Sequence, residues 1–331
     1  MNIKEVAKLA KVSTATVSRT INGSDKVRPR TAERVRKAIA DLKFYPNTHA
    51  RTLVSGRSRL LGLIISDITN PFFPELVKSF EGEALQHGRE VLIGNTDYDP
   101  KRMAACVGRM MERRVDGVAI MTSETDPLLL AELANREIPT VLMDTGKSSP
   151  LSVRVNIDHA QGIYEALDHL FALNHTRIAF ISGPMNLQSA RVRHEAFVSH
   201  MKANGVAVDR TLLMTGNHRT DGGVQAMRQL LRLHKPPTAV VTSNDVTAIG
   251  ALGAIYTAGL RVPDDISVVG FDDIAFARLT QPPLTTVSLS RVQLAVTALA
   301  ALEQLIRREN TRKIEYRITT HLVVRQSTRA I

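Results

Sequence analysis

Residues 3–22 read IKEVAKLAKVSTATVSRTIN. Val6, Leu9 and Ala10 recur at helical spacing, Val17 and Ile21 do so further on, and Val12 lies between, so the stretch reads as two short helices around a tight turn. Ser13 precedes the second helix, where its hydroxyl can accept one of the free N–H groups of the first turn. The outward residues of that helix, Thr14, Thr16, Ser18, Arg19 and Asn22, are short or polar. Short side chains let a helix lie close to another surface, and Arg19 and Asn22 can reach base edges or phosphates. This is the pattern of a helix-turn-helix with its reading helix at about residues 14–22. An ordinary helical hairpin with a solvated face has the same apolar spacing.

Charge separates the two readings. The 331-residue chain has net charge +11. Residues 1–59 hold fourteen Lys/Arg against four acids, whereas the remainder holds 29 against 28. A basic head on a nearly neutral body is a footprint for a polyanion. A membrane surface also attracts positive charge, but no segment pairs it with a large apolar face. Neither an apolar leader nor a membrane-length apolar run is visible, which places the chain in the cytoplasm. The single cysteine, Cys106, excludes an internal disulfide and a cysteine-cluster metal site, and reads as a small buried hydrophobe.

After the turn-forming Asn22-Gly23-Ser24-Asp25, Pro29 opens a third helix at about 30–43. Its stripe, Ala32, Val35, Ala38, Ile39 and Leu42, closes a small core, with Arg34 and Lys37 read as solvated. Residues 48–54, THARTLV, form a further helix too short to be stable alone. Its Leu53 suits a wedge in a DNA minor groove, or packs on the next domain.

From Leu60 onward, apolar runs alternate with amphipathic helical stretches. The first series is 60–66, 90–96, 117–123, 140–145 and 153–158; the second is 177–183, 212–216, 239–243, 267–273 and 285–290, with a late strand at 321–327. Continuously apolar strands alternating with helices mean parallel sheets covered on both faces, here two doubly wound subdomains with a cleft between them. Polar residues gather where strands end: Asp67, Asn70, Asp144, Asp158, Asn244, Asp245, Asp272 and Asp273. Open α/β sheets bind ligands at those ends. Phe72, Phe73, Arg191 and Arg193 add flat and cationic groups, a set suited to a polyhydroxylated or heterocyclic small molecule.

Over essentially its whole length the chain resembles the lactose/galactose repressor family. The motifs are VAKLAKVSTATVSRTIN, the headpiece ending Tyr45-Pro46-Asn47 with Ala50, Arg51 and Leu53, and in the body GLIISDITNPFFPEL, RRVDGVAIM, GLRVPDDISVVGFDD, PPLTTV and LVVRQST. The resemblance implies a helix-turn-helix headpiece at 1–46 and a hinge helix and linker at 47–59. It also implies a periplasmic-binding-protein-like α/β core at 60–331, with an N-subdomain of about 60–158 plus 291–319 and a C-subdomain of about 160–288 plus 321–331. It implies a homodimer, or a dimer of dimers, on a palindromic double-stranded operator, contacting DNA through Thr14, Ala15, Thr16, Ser18, Arg19, Asn22, Ala50, Arg51 and Leu53. Effector contacts carry over to Asn70, Phe72, Phe73, Asp144, Ser189, Arg193, His218, Asn244 and Asp272, with a sugar or sugar derivative as ligand. Three positions depart from the family: Lys11 in the turn, His218 where many relatives stack an aromatic ring, and Leu289 where several have Gln.

The expectation is therefore a bacterial transcriptional repressor controlled by a small molecule, with no metal or cofactor. With no leucine-heptad tail, a dimer is expected. A transport-type binding protein fits the body but not the basic head. An enzyme finds no support: phosphate-loop, dinucleotide and HExxH patterns are missing from the sequence, and its ten histidines are scattered.

Overall fold

The computed structural model describes residues 2–21, 26–44, 58–122, 126–144, 152–308 and 316–331. Asn22, Ala50, Arg51, Leu53 and the short helix expected at 48–54 lie outside them. The chain divides into two compact units, Met1–Ser58 and Arg59–Ile331.

In the first unit, α1 (Ile3–Leu9), α2 (Thr14–Ile21) and α3 (Pro29–Asp41) surround a core of Val6, Ala7, Ala10, Val17, Val35 and Ala38. α1 starts with a capping box. The Asn2 carboxamide accepts from the Lys4 and Glu5 N–H groups, and Glu5 accepts from the Asn2 N–H in return. Ser13 accepts the Thr16 N–H at 3.1 Å, as its position before α2 foretold. Lys11 sits between them at φ 50°, a left-handed conformation that costs a lysine about 1 kcal/mol. Two sequence readings need correction. Leu9 is 51 % exposed rather than part of the core stripe, because the turn at Lys11 brings Ala10 and Val12 inward instead. Arg34 is not idle surface: its guanidinium donates to the carbonyls of Ala10 (2.8 Å) and Lys11 (3.4 Å), satisfying acceptors that the end of α1 leaves free.

Among the described residues the second unit holds two six-stranded sheets. Its strands are β1 (Leu60–Ile65), β2 (Glu90–Asn95), β3 (Gly117–Met121), β4 (Thr140–Met143), β5 (Ser152–Asp158), β6 (Ile178–Ser182), β7 (Leu213–Thr215), β8 (Ala239–Thr242), β9 (Ser267–Asp272), β10 (Thr285–Ser288), β11 (Tyr316–Thr319) and β12 (His321–Val323). The order is β11-β5-β4-β3-β1-β2 in the first sheet and β12-β10-β9-β8-β6-β7 in the second. Every pairing is parallel except β10 with β12. β3, β4, β6, β8 and β9 are buried at every position, which is why they read as unbroken apolar runs.

Connecting helices are α4 (Phe72–Gln86), α5 (Pro100–Glu112), α6 (Pro127–Asn135), α7 (His159–Ala172), α8 (Gln188–Ala203), α9 (Thr220–Leu231), α10 (Asp245–Thr257) and α11 (Arg291–Ile306). α11 packs on α4, β3 and β4, and α7 packs on α8, β10 and β12. The chain thus passes between the two lobes three times, after β5, after β10 and after β11. Cys106 is buried among Met103, Val107 and Met110 in the core that α5 forms on the first sheet.

One buried ion cluster fixes where the first lobe begins. The Arg89 guanidinium donates to both Glu303 oxygens (2.7 and 3.1 Å) and to Asp116 (2.5 Å), which also accepts the Arg59 N–H at 3.0 Å. The cluster joins the start of β1, the approach to β3 and the end of α11.

Candidate functional site

The carboxyl ends of the strands in both lobes open on a cavity of about 620 Å³, part of it open to solvent. Asn70, Phe72, Phe73 and Asp144 line it from the first lobe; Ser189, Arg193, His218, Asn244 and Asp272 line it from the second; Leu289 completes the wall. Ser66, Tyr98, Met121, Thr122, Met143, Leu187 and Gln188 also line it, although the charged and amide groups that mark strand ends in the sequence do not include them. Phe72 and Phe73 meet edge to face, their centroids 5.4 Å apart.

The other strand-end residues face elsewhere. Asp158 caps α7 and pairs with Arg317; Asp273 pairs with Arg325; Asp67 accepts from Thr69. Arg191 is a correction: it is exposed and donates to the carbonyls of Met185 and Asn186, because two residues along a helix turn it away from the direction of Arg193.

Backbone strain concentrates on this cavity. Tyr98 (φ 57°), Asp144 (φ 58°), His218 (φ 62°) and Asp272 (φ 110°) all occupy positive-φ conformations, each costing on the order of 1–3 kcal/mol in a non-glycine residue. Gly183 makes room for one of them: a Cβ there would stand 1.9 Å from His218 Nε2.

Arg193 is buried and heavily engaged. Its guanidinium donates to the Ser243 carbonyl and to His159 Nδ1 (3.2 Å), lies 3.8 Å over the Phe271 ring, and stands 3.8 Å from Asp272. His159 in turn bonds Asp144 Oδ1 at 2.7 Å. His218 shares a hydrogen bond with Ser243 Oγ at 2.9 Å. Asn244 spends both ends of its amide, accepting the Thr247 N–H and donating to the His218 carbonyl, so it shapes the wall. Asp144 keeps one carboxylate oxygen, and Asp272 both, without a protein hydrogen bond among the described residues.

Burial, then the positive charge of Arg193, pushes the His218 imidazole down to about 3, so it is neutral at physiological pH. Burial raises the Asp272 carboxyl to about 6 against the opposing pull of Arg193. The Asp245 carboxyl, also buried and near Asp272, is raised well above the usual range. Burial lowers Arg193, while Asp272, Asp144 and Asp245 hold it up. The lining thus carries two carboxylates and one guanidinium.

Polar contacts bridge the lobes on the flanks of the cavity, an ion pair on one side and a backbone hydrogen bond on the other. Arg219, beside His218, reaches Asp97 (2.9 Å) and Asp67 (3.4 Å) in the first lobe. Glu75 in α4 accepts the Ala275 N–H at 3.0 Å and pairs with Arg291 at 2.7 Å.

On the headpiece, Thr14, Ala15 and Arg19 are exposed and Thr16 and Ser18 are half-buried. Thr20 turns inward, its hydroxyl donating to the Thr16 carbonyl. Among the described residues no cluster of His, Cys, Asp and Glu suits a metal ion, and no helix is long and apolar enough to cross a membrane.

A helix-turn-helix unit followed by a two-lobed core with a ligand-sized cleft defines a ligand-responsive DNA-binding regulator. The sequence pattern of bacterial regulatory proteins of the lacI family matches residues 2–47, and that of periplasmic binding protein-like domains matches residues 167–328. The HTH-type transcriptional repressor PurR of Photobacterium profundum is 33 % identical over 326 residues, covering 98 % of each chain. The crystal structure of the Lac repressor dimer bound to operator and the anti-inducer ONPF superposes with a TM-score of 0.88 at 30 % identity, covering 100 % of this chain and 99 % of that one. A transcriptional regulator CelR–cellobiose complex gives 0.73 at 30 % identity, with 99 % of each chain covered. The chain belongs to the lacI family. It is a DNA-binding transcriptional regulator with a core that takes a small-molecule effector.

Proposed function

We propose that the effector is an uncharged, polyhydroxylated molecule, a sugar or sugar derivative, held between Asp144 and Asp272. The observation that carries this reading is the pair of carboxylates on opposite lobes, each with an oxygen free to accept a hydroxyl, beside the Phe72 and Phe73 rings. The one guanidinium in the lining is already matched by Asp272 and stacked on Phe271, so a phosphate or carboxylate on the ligand meets net negative charge. Asn70, Ser189, Arg193 and neutral His218 supply further hydrogen bonds, and Asn244 holds His218 in place. Leu289 gives an apolar patch. The cellobiose named for the CelR complex agrees with this class.

On the DNA side, Thr14, Ala15, Thr16, Ser18 and Arg19 read the major groove. Asn22, Ala50, Arg51 and the wedge Leu53, outside the described residues, complete the contact. Because Ala15 offers only a methyl group, Arg19 and minor-groove shape carry much of the discrimination. Phe276, Leu279 and Tyr256, all exposed, offer the second subunit apolar surface. Effector binding changes operator affinity by its differential affinity for the two lobe arrangements. The protein acts in the cytoplasm.

The test is a thermal-shift screen of neutral sugars against their phosphates, since a ligand of the folded state raises its melting temperature. Neutral sugars should stabilise wild type and not Arg193→Ala or Asp272→Ala. Stabilisation by phosphates alone refutes the reading.

A further inference from the structure

His159 does not line the cleft, yet both of its ring nitrogens are committed to residues that do. Nδ1 faces the Arg193 Nε–H at 3.2 Å and Nε2 faces Asp144 Oδ1 at 2.7 Å. An arginine only donates, so Nδ1 must be the acceptor and the ring proton must sit on Nε2, donating to Asp144. The ring is 2 % exposed and packs 5.7 Å from Phe271. Asp144 follows β4 of the first lobe, Arg193 belongs to α8 of the second, and His159 opens α7, the first residue past the β5 crossing. Asp144, His159, Arg193 and Asp272 form one chain of contacts from lobe to lobe.

We propose that His159 is a positioning residue that holds Asp144 and Arg193, one from each lobe, at a single separation, so that the effector meets a complete site only in this lobe arrangement. The geometry allows little else. A doubly protonated ring would turn an N–H against the Arg193 N–H. Burial and Arg193 both oppose the charged form, against the pull of Asp144 and Asp158. A neutral ring with a fixed tautomer is a rigid spacer with one donor and one acceptor. Movement of Asp144 relative to α7 breaks one of its two bonds. The inference rests on the reading of the cleft as the effector site.

The experiment uses the full chain without any sugar, so its outcome is separate from the effector screen. Long-range ¹H–¹⁵N spectra of histidine-labelled protein should show His159 as the Nε2–H tautomer throughout pH 5.5–8.5, the working range in which a free imidazole titrates. In arginine-labelled protein the slowly exchanging Arg193 Nε–H, assigned by its loss in Arg193→Lys, should persist in His159→Asn. The Asn carbonyl oxygen can occupy the Nδ1 position. The resonance should vanish in His159→Leu. An Nδ1–H tautomer, titration near the ordinary histidine range, or an Arg193 Nε–H unchanged in His159→Leu would each overturn the proposal. If His159→Leu fails to fold, the wild-type tautomer and its pH profile still decide. A sugar screen that fails while these spectra hold removes the effector reading alone.

Discussion

Replacing Asp272 by Asn tests the electrostatics of the cleft directly. Burial raises its carboxyl from the ordinary 3.8 to about 6 in the folded protein. At about 1.4 kcal/mol per pH unit, ionising Asp272 therefore costs the folded state about 3 kcal/mol. The sign follows from proton binding. Between the two values the folded protein holds a proton that the unfolded chain has released, so stability is full below the unfolded value and is lost as pH rises through about 6. Asn carries no charge and escapes this loss. The variant should gain on wild type chiefly between about pH 4 and 6, reaching about 3 kcal/mol near neutrality, or roughly 6–12 °C in melting temperature for a core of this size. Any constant offset from Asn packing against Arg193 appears equally at every pH and cancels in the comparison. Melts of both proteins from pH 4 to 8, followed by circular dichroism, provide the readout. A stability difference that stays flat with pH would refute the assignment of a buried, raised carboxyl at 272. The same substitution should abolish stabilisation by sugars, since a strained and charged cleft trades stability for binding.

Arg89→Met should destabilise the core by about 3–5 kcal/mol, because it leaves Asp116 and Glu303 buried without their cation. Adding Glu303→Gln should restore part of that loss, and urea titration of the single and double variants measures both; equal stability of Arg89→Met and wild type would remove the cluster from the account. Arg219→Gln breaks a half-exposed pair worth no more than about 1 kcal/mol, so its melting temperature should hardly move while a bound sugar dissociates faster. A melting temperature lowered by about 10 °C would mean that the pair supports the fold itself.

The fold was legible where burial is two-sided. β3, β4, β6, β8 and β9 are apolar at nearly every position and announce themselves. β11, sequence YRIT at a sheet edge with exposed positions, carries no such run, so the apolar pattern does not mark it. The apolar pattern predicts a late strand over 321–327, whereas β12 spans only His321–Val323, because the chain beyond it bonds irregularly, Gln326 to the Pro283 carbonyl and Ser327 to Val268.

The cleft was partly legible for a similar reason. A strand's direction tells which end opens on the ligand, and that rule brought Asn70, Asp144, Asn244 and Asp272 together. It does not distinguish a carboxylate that faces the cavity from one that caps a helix, as Asp158 does. His159, Tyr98 and Thr122 leave no local trace. The role of His159 exists only through two partners distant in sequence, and Tyr98 enters the cleft through a left-handed backbone that a tyrosine rarely adopts.

The triple passage of the chain between the lobes bears on how such proteins can diversify. Neither lobe is a continuous segment, so a single recombination event within the core joins half-lobes that were never matched, and effector preference must change by substitution inside an intact core. The DNA-reading unit, in contrast, is one uninterrupted stretch ending near Ser58. One exchange at that point can pair a new operator with an unchanged effector, so the two specificities can be inherited separately although they are used together.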